Sequence, residues 1–378
     1  MDSSNNIMNK IISYMLRQKI ANVLSDKCYL KLRYKISYGK KLNLDNPTSY
    51  NEKLQWLKLY DRRKIYTDMV DKYEVKKIIS EKIGNEYVIP TLGIYDKFDD
   101  INFEKLPNQF VIKCTHDSGG MIICRNKNKL DIKKARKKIN KSMKKNYYFY
   151  GREWPYKNVK PRIIIEQYIT PSKVEENQEK FSSTEKIQNK IGLLDYKFLC
   201  FDGEVKLLFM DIGVIGKGTG HAEEYYRNIY DKEFNLLPFI ETRENYKEKI
   251  EKPKNFDKMI EIAQKISEGI PHLRVDLYNI DGKIYFGETT FFHGSGLSNY
   301  FKPEEWNDRL GNYIKLPKEK LKFLAETKRI FSLNISTGLL YKKVNTLPYV
   351  IMEDIYISKA DTYIEQTSFP ECYEFRND

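Results

Sequence analysis

Apolar residues along this chain recur in two rhythms, and the change from one to the other predicts a mixed fold. Over residues 10 to 32, Ile11, Ile12, Met15, Leu16, Ile20, Val23 and Leu24 recur at helical spacing, with Lys10, Arg17, Lys19 and Lys27 elsewhere on the wheel. Such a helix rests on acidic lipid or packs on its own domain; packing is the expectation. Asp71-Lys72-Tyr73-Glu74 has capping-box spacing, with Asp71 as N-cap, Val75, Ile78 and Ile79 on one face and Gly84 as a stop. Lys72 is therefore expected in a helix's first turn, where a cation beside free N–H groups receives phosphate. A further helix is expected around Phe256 to Glu268, with Ile260, Ala263 and Ile266 turned inward.

The second rhythm is alternation. Gln109 to His116 and Met121 to Cys124 flank Asp117-Ser118-Gly119-Gly120, which reads as a hairpin with a movable tip. Phe110, Ile112 and Cys114 share one face of it, and Lys113 lies on the other with Val111 and Thr115. The glycines at the tip let backbone N–H groups approach phosphate oxygens. Arg162 to Ile169 reads as a buried strand ending in the polar step Glu166-Gln167-Tyr168-Ile169 before Pro171. The polar stretch Ser172 to Gln188 reads as a flexible insertion. Tyr196 to Phe201 and Glu204 to Met210 make a second hairpin about Asp202-Gly203.

A third hairpin, Arg274 to Asn279 and Lys283 to Thr290, brings two acids together or splits them, depending on its loop. A two-residue Asp281-Gly282 loop sets Asp276 opposite Gly287 and sends Glu288 to the other face. A three-residue Ile280-Asp281-Gly282 loop with Gly282 left-handed in a bulge pairs Asp276 with Phe286 and Arg274 with Glu288. Arg274, Asp276, Glu288 and Thr290 then line one face, and this register is expected because oxygen ligands on neighbouring strands can hold magnesium against phosphate.

Composition narrows the classes. A chain of 378 residues with 41% hydrophobic content can bury one large core or two to three subdomains. No apolar run reaches the roughly 18 residues of a membrane span, and a cytoplasmic chain, with possible peripheral contact at a membrane face, is expected. Cys28, Cys114, Cys124, Cys200 and Cys372 are odd in number and not in ligand spacing, which argues against zinc or a disulfide framework; buried thiols are expected at Cys114 and Cys124. The net charge of +14 fits nucleic acid, an anionic membrane face or a polyanionic substrate alike. Basic residues far outnumber acidic ones from Arg125 to Arg162, with Tyr147, Tyr148, Phe149, Tyr150, Trp154 and Tyr156 interleaved near the end. That mixture grips nucleic acid, or forms an exposed helix from about Asp131 to Asn146 whose lysines hold a polyanion or sugar acid nearby.

Lys72, Lys113 with the Gly-rich turn, Glu166 to Ile169, Asp276 and Glu288 together read as a magnesium-ATP site. A triphosphate needs cations at one end, an apolar slot with main-chain hydrogen bonds for adenine at the other, and carboxylates for the metal between. Phe291 to Asn299 follows the metal strand and is expected to face the acceptor, with His293 as a candidate acid or base; His116 is expected to touch phosphate.

In this order the segments resemble the ATP-grasp superfamily, in particular its TupA-like (teichuronopeptide-biosynthesis) branch. The branch resemblance rests on Asn46 to Trp56, Asp71-Lys72-Tyr73, Lys113 to Gly120, Glu166 to Ile169, Asp195 to Phe198, Arg274 to Tyr278 and Gly287 to Thr290, and covers roughly residues 40 to 315. It implies an α+β fold in which two α/β subdomains on antiparallel sheets clamp ATP, behind an N-terminal helical extension. The segments implied are an N-terminal helical part (1 to 60), an N-terminal ATP-grasp portion (61 to 108), a small lid (109 to 170), the insertion (171 to 190), a large metal-bearing subdomain (191 to 315) and an unassigned extension (316 to 378).

By the same resemblance, Lys72, Lys113 and Lys197 hold ATP together with His116, Ser118, Gly119 and Gly120. Main-chain groups of Glu166, Gln167, Tyr168 and Ile169 meet adenine. Asp276, Glu288 and Thr290 bind Mg2+, Thr290 standing where many relatives place Asn, and Arg274 steadies an acyl phosphate or acceptor. Glu175 and Glu176 lie near the position of the acid that usually holds ribose. The implied chemistry is an ADP-forming carboxylate-amine ligase acting on an anionic glycan or sugar acid with an amine or amino acid. The alternatives are a glycosyltransferase or an ATP-dependent glycan kinase, or a non-enzymatic basic binding module.

Overall fold

The computed structural model describes residues 21 to 170, 192 to 213 and 225 to 317, with single positions at 12, 14 to 16, 19, 20, 184, 187 and 188. The expected insertion at 171 to 190, with Glu175 and Glu176, lies largely outside the described residues, as does the extension beyond 317 with its apolar run Tyr349 to Met352. The chain divides into two compact units, Met1–Leu42 with Leu316–Asp378, and Asn43–Lys315.

In the first unit, helix α1 (Asp26–Tyr38) begins at Ser25, whose side chain accepts from the Cys28 N–H, and ends at Gly39 in the left-handed conformation. The run over 10 to 32 is thus not a single helix: Lys19–Val23 form a 3-10 turn, and Ser25 opens a new element. Cys28 is disulfide-bonded, which the odd cysteine count did not foretell. Cys114, Cys124 and Cys200 are buried thiols, as expected for the first two.

The second unit opens with helices α2 (Tyr50–Tyr60), α3 (Lys64–Val70) and α4 (Glu74–Ile83). A capping box starts α2: the Ser49 side chain accepts from the Glu52 N–H, and the Glu52 carboxylate accepts from the Ser49 N–H. Strands β1 (Thr91–Tyr95), β2 (Phe110–Cys114), β3 (Met121–Cys124) and β4 (Ile163–Gln167) form an antiparallel sheet in the order β1-β4-β2-β3. Helix α5 (Ile132–Met143) covers it, burying Ala135 and Ile139 against Phe110, Ile112, Cys114, Ile163 and Ile165. Each fully buried Ile or Phe there contributes about 1.5–3 kcal/mol. The expected alternation holds, since Phe110, Ile112 and Cys114 are buried while Val111 and Lys113 are half-buried on the other face.

After the short helix α6 (Tyr148–Gly151), strands β5 (Asp195–Phe201), β6 (Glu204–Ile212) and β7 (Tyr226–Tyr230) join β9 (Leu273–Ile280) and β10 (Lys283–Thr290) in a five-stranded antiparallel sheet, ordered β10-β9-β5-β6-β7. The short strand β8 (Ile240–Glu241) pairs with β11 (Phe301–Lys302). Helix α7 (Phe256–Ser267) seals the rear of the large sheet with Phe256, Met259, Ile262, Ala263 and Ile266; Ile260 is only half-buried, so the inward face is shifted from the one expected. Helix α8 (Glu305–Tyr313) packs on α2, with Lys53 Nζ donating to the Gly311 and Ile314 carbonyls at 2.9 and 3.0 Å. Among the described residues no helix is long and apolar enough to cross a membrane.

The third hairpin adopts neither expected register. Asp281 (φ 53°) and Gly282 (φ 88°) form a two-residue loop with positive φ at both positions, closing on the Ile280–Lys283 pair. Farther out, between Phe286 and Glu288, a bulge shifts the ladder, so Asp276 pairs with Glu288 and Arg274 with Thr290. The expected common face for Arg274, Asp276, Glu288 and Thr290 is reached, but by a bulge at Gly287 and not at the loop. A Cβ on Gly287 would lie 3.1 Å from both the Asp276 carbonyl oxygen and the Tyr278 ring, so a side chain there would crowd the facing strand.

Candidate functional site

The bulge sets the geometry of the site. Glu288 on β10 pairs with Asp276 on β9, and Asp276 pairs with Lys197 on β5, so three charged side chains stand abreast on one face of the large sheet. Lys197 Nζ lies 3.0 Å from Asp276 Oδ2, bonds the Asp195 carboxylate more closely, and is 3.7 Å from Asp211. Arg274 grips Asp276 with two hydrogen bonds, Nε to Oδ1 and Nη2 to Oδ2, both 2.7 Å. Its Nη2 also reaches Glu288 Oε1 at 3.4 Å. Burial alone would raise the Asp276 pKa, but Arg274 and Lys197 bring it below the ordinary carboxylate value. Asp195 goes the other way: burial, together with Asp276 and Asp211, outweighs Lys197 and raises it to about 6.

Opposite stands the small sheet's cationic side. Lys113 Nζ lies 2.6 Å from Glu166 Oε2, and Lys76 Nζ 2.5 Å from Glu166 Oε1. Glu166 is thus a buried acid shared by two lysines, which lower its pKa although burial alone would raise it. Burial pulls Lys113 down, yet Glu166, helped by Glu288 and Asp195, raises it. Charges from both sheets therefore meet in one cleft. Lys72 enters it as well, with Nζ donating to the Asp117 carbonyl at 2.6 Å and lying 4.0 Å from Glu288 Oε2.

Lys72 does not sit inside a helical turn as expected: α4 begins at Glu74, and Lys72 occupies the turn before it. Asp71 still caps, accepting from the Tyr73 and Glu74 N–H groups at 2.8 and 3.3 Å. The reciprocal half of the box is missing because the Glu74 carboxylate is drawn to Arg162, which also binds Asp71.

At the Gly-rich turn, Gly119 has φ 100°, and a Cβ on Gly120 would lie 2.7 Å from the Asp117 carboxylate and from Ser142 Oγ. Ser118 is exposed at the tip. His116 does not point toward a phosphate: it is 2% exposed, its Nε2 lies 3.2 Å from the Ser142 carbonyl, and burial lowers its pKa. It packs the turn onto the end of α5.

Three other expected residues are placed differently from their expected roles. The Gln167 N–H donates to the Pro90 carbonyl and the Glu166 side chain serves the lysines, which leaves Tyr168 and Ile169, beyond the sheet, as the free part of that segment. His293 is 4% exposed, and its Nδ1 accepts from Arg274 Nη1 at 2.8 Å, since a guanidinium has no acceptor to offer. The Nε2 side of the ring faces Glu241 at 3.7 Å, and burial lowers the His293 pKa against the opposing pull of Glu241. His293 is a positioning residue for Arg274.

Sequence reasoning missed Lys76, although it lies one helical turn after Lys72, and it included Asp195 within the Asp195 to Phe198 motif without a role, although strand alternation puts it beside Lys197. It also missed Lys58, a fully buried lysine donating to the Gly151 and Ser295 carbonyls at 2.7 Å and to Ser295 Oγ at 2.9 Å. Tyr147 and Tyr156, with ring centroids 4.9 Å apart, approach the site closely enough that Glu288 and Glu153 help burial raise their pKa values. No local pattern marks these residues.

Among the described residues no group of three or more His, Cys, Asp or Glu side chains stands ready for a metal. The donors do fit a hard divalent ion in kind: Glu288 is 44% exposed at its side chain, and Asp276 Oδ1 receives one hydrogen bond and keeps an acceptor position.

Two antiparallel sheets, one carrying lysines and the other a row of acids, define an ATP-grasp fold. Residues 52 to 315 match the TupA-like ATPgrasp family, and the chain belongs to it. No curated protein sequence matches the chain. Among solved structures it resembles D-alanine–D-alanine ligase from Bacillus anthracis complexed with ATP (15% identity, 68% of this chain and 66% of that one, TM-score 0.35). It also resembles the L-amino acid ligase from Bacillus licheniformis (14%, 68% and 51%, TM-score 0.38) and the D-alanine–D-alanine ligase from Helicobacter pylori (15%, 71% and 68%, TM-score 0.37). The chain spans between about half and two-thirds of the first two.

Proposed function

We propose that the protein is a magnesium-ATP-dependent carboxylate-amine ligase that joins an amine or amino acid to the carboxylate of a sugar acid in a surface glycan or its precursor. The observation that carries the reading is the convergence of Lys72 and Lys113 with the Glu288–Asp276 pair in one cleft. The glycan rests on family resemblance and on the net charge of +14.

In the proposed reaction a carboxylate oxygen attacks the γ-phosphorus of ATP and ADP leaves. The amine nitrogen then attacks the acyl carbon, phosphate leaves with its electron pair, and the nitrogen loses a proton. Both first-step reactants are anions, so catalysis consists of aligning them and offsetting repulsion. Lys72 and Lys113 take the phosphate oxygens. Arg274, fixed between Asp276 and His293, presents its remaining surface to the carboxylate or acyl phosphate. Asp276 and Glu288 would hold Mg2+, which neutralises phosphate charge when bound.

The test pairs nucleotide-dependent melting with product analysis. ATP or ADP with magnesium should raise Tm by mass action, UDP-sugars should not, and ADP release should need both carboxylate and amine. Protection by UDP-sugars alone overturns the reading, and ADP release without amine points to a kinase.

A further inference from the structure

Helix α5 carries its charge on the side away from the small sheet. Ala135, Ile139 and Ser142 face inward, while Lys133, Lys137, Lys141 and Lys144 are exposed along the opposite side. Steps of four, four and three residues put a cation about every 5–6 Å along the axis, a row about 16 Å long. Lys134 and Arg136, beside the row, are paired with Asp131 and Asp99. Among the described residues none of the four row lysines has an acidic partner.

The C-terminal end of the row abuts the Gly-rich turn. Ser142 Oγ closes on Gly120, and the Ser142 carbonyl meets His116. A chain lying along the lysines is therefore led to the edge of the cleft. Nucleic acid is the poorer occupant, because the neighbouring rings do not form a run of stacking platforms. Tyr148 is buried, and Tyr147 packs against both Tyr150 and Tyr156, so these rings are engaged with one another. A line of cations without a run of open stacking platforms suits a chain of carboxylated sugars, with its charges in a row.

We propose that Lys133, Lys137, Lys141 and Lys144 form a binding track for a linear polycarboxylate, so that the carboxylate partner of the ligase enters as part of a polymer. The proposal rests on the ligase reading for its purpose but is tested without turnover. Labelled oligogalacturonate is titrated into the full chain and followed by anisotropy at low and at physiological salt, with neutral dextran and oligodeoxythymidine as competitors. Binding that weakens with salt, and competition by neither competitor, is expected.

The quadruple variant Lys133→Glu, Lys137→Glu, Lys141→Glu, Lys144→Glu should bind about tenfold or more weakly, the equivalent of at least 1.4 kcal/mol. Its protection by magnesium-ATP should match that of the parent, which also certifies its fold. The same charge change at exposed Lys232, Lys247, Lys249 and Lys302, outside the small sheet and its helix, should leave oligogalacturonate binding within about twofold, as expected for screened charges. Equal weakening by both sets, no weakening by the first, or effective competition by oligodeoxythymidine overturns the track. Loss of magnesium-ATP protection in the parent overturns the ligase reading instead.

Discussion

On the small-sheet side of the cleft, Lys72, Lys76 and Lys113 gather around Glu166; on the large sheet, Arg274, Lys197 and Arg227 face Asp195, Asp211, Asp276 and Glu288. The first side has cations to spare, and the second has acid to spare. Their internal order differs too. Asp211 is fully buried, accepts from Arg227 Nε and Nη2 at 2.5 and 2.8 Å and from the Tyr225 hydroxyl at 2.6 Å, and lies near Lys197. The lysine side keeps two ammonium groups partly open, Lys72 and Lys113 being 18% and 17% exposed at their side chains. One side is a closed electrostatic scaffold and the other, on the ligase reading proposed above, an open anion receptor, so mutations on the two should separate stability from activity.

The largest expected effect is on the scaffold. Asp211→Ala removes one of the two carboxylates that hold buried Arg227, the other being Glu241, and should cost about 3 kcal/mol, read as a lower midpoint in urea unfolding. On the receptor, Lys113→Ala should lower ADP formation by about 10²–10³. Glu288→Ala, at the half-exposed edge of the acid row, should do the same while leaving the urea midpoint within about 0.5 kcal/mol of the parent. A stability loss as large as that of Asp211→Ala would put Glu288 in the scaffold instead.

Proton linkage sharpens the contrast next. Burial alone would raise Glu241, but His293, Arg227 and Thr242 hold it down to about 2, against 4.5 for an ordinary Glu. The unfolded chain therefore takes up this proton first as pH falls. The resulting stability, about 3 kcal/mol, is complete above about pH 4.5 and lost as pH falls toward 2. Glu241→Gln should flatten the dependence of Tm on pH inside that window and leave it unchanged above.

Smaller effects are expected at backbone positions. Gly120→Ala presses a methyl group on Asp117 and Ser142 and should cost about 1–3 kcal/mol, with weaker protection by magnesium-ATP. Ser49→Ala removes half of the capping box at α2 and should cost about 1 kcal/mol in thermal unfolding, with ADP formation retained.

Much of this site could be read from residue order. Lys113 was legible because strand alternation assigns a face without reference to any partner, and the Asp202-Gly203 turn was legible because both residues must accept positive φ; at Asp281-Gly282 the same turn chemistry was present, but the three-residue loop expected there was wrong. The misreadings share another cause. His116 and His293 look like surface chemistry in one dimension, yet each is buried by a contact made from elsewhere, Ser142 in one case and Arg274 in the other. Glu166 was expected to contribute its main chain, and Lys76, absent from the expected set, claims its side chain.

By itself the sequence determined the hairpins and the order of cations and acids along the chain, because alternation, turn chemistry and helix spacing act over a few residues; the family and its two-sheet architecture were read from the resemblance of the motifs and their order. Tertiary structure alone decided that Gly287 bulges and so sets Glu288 beside Asp276, that Glu166 is divided between two lysines, and that Arg274 is held by His293. Those outcomes depend on which buried charge finds which partner across distant strands, and desolvation makes that choice only when the strands have met.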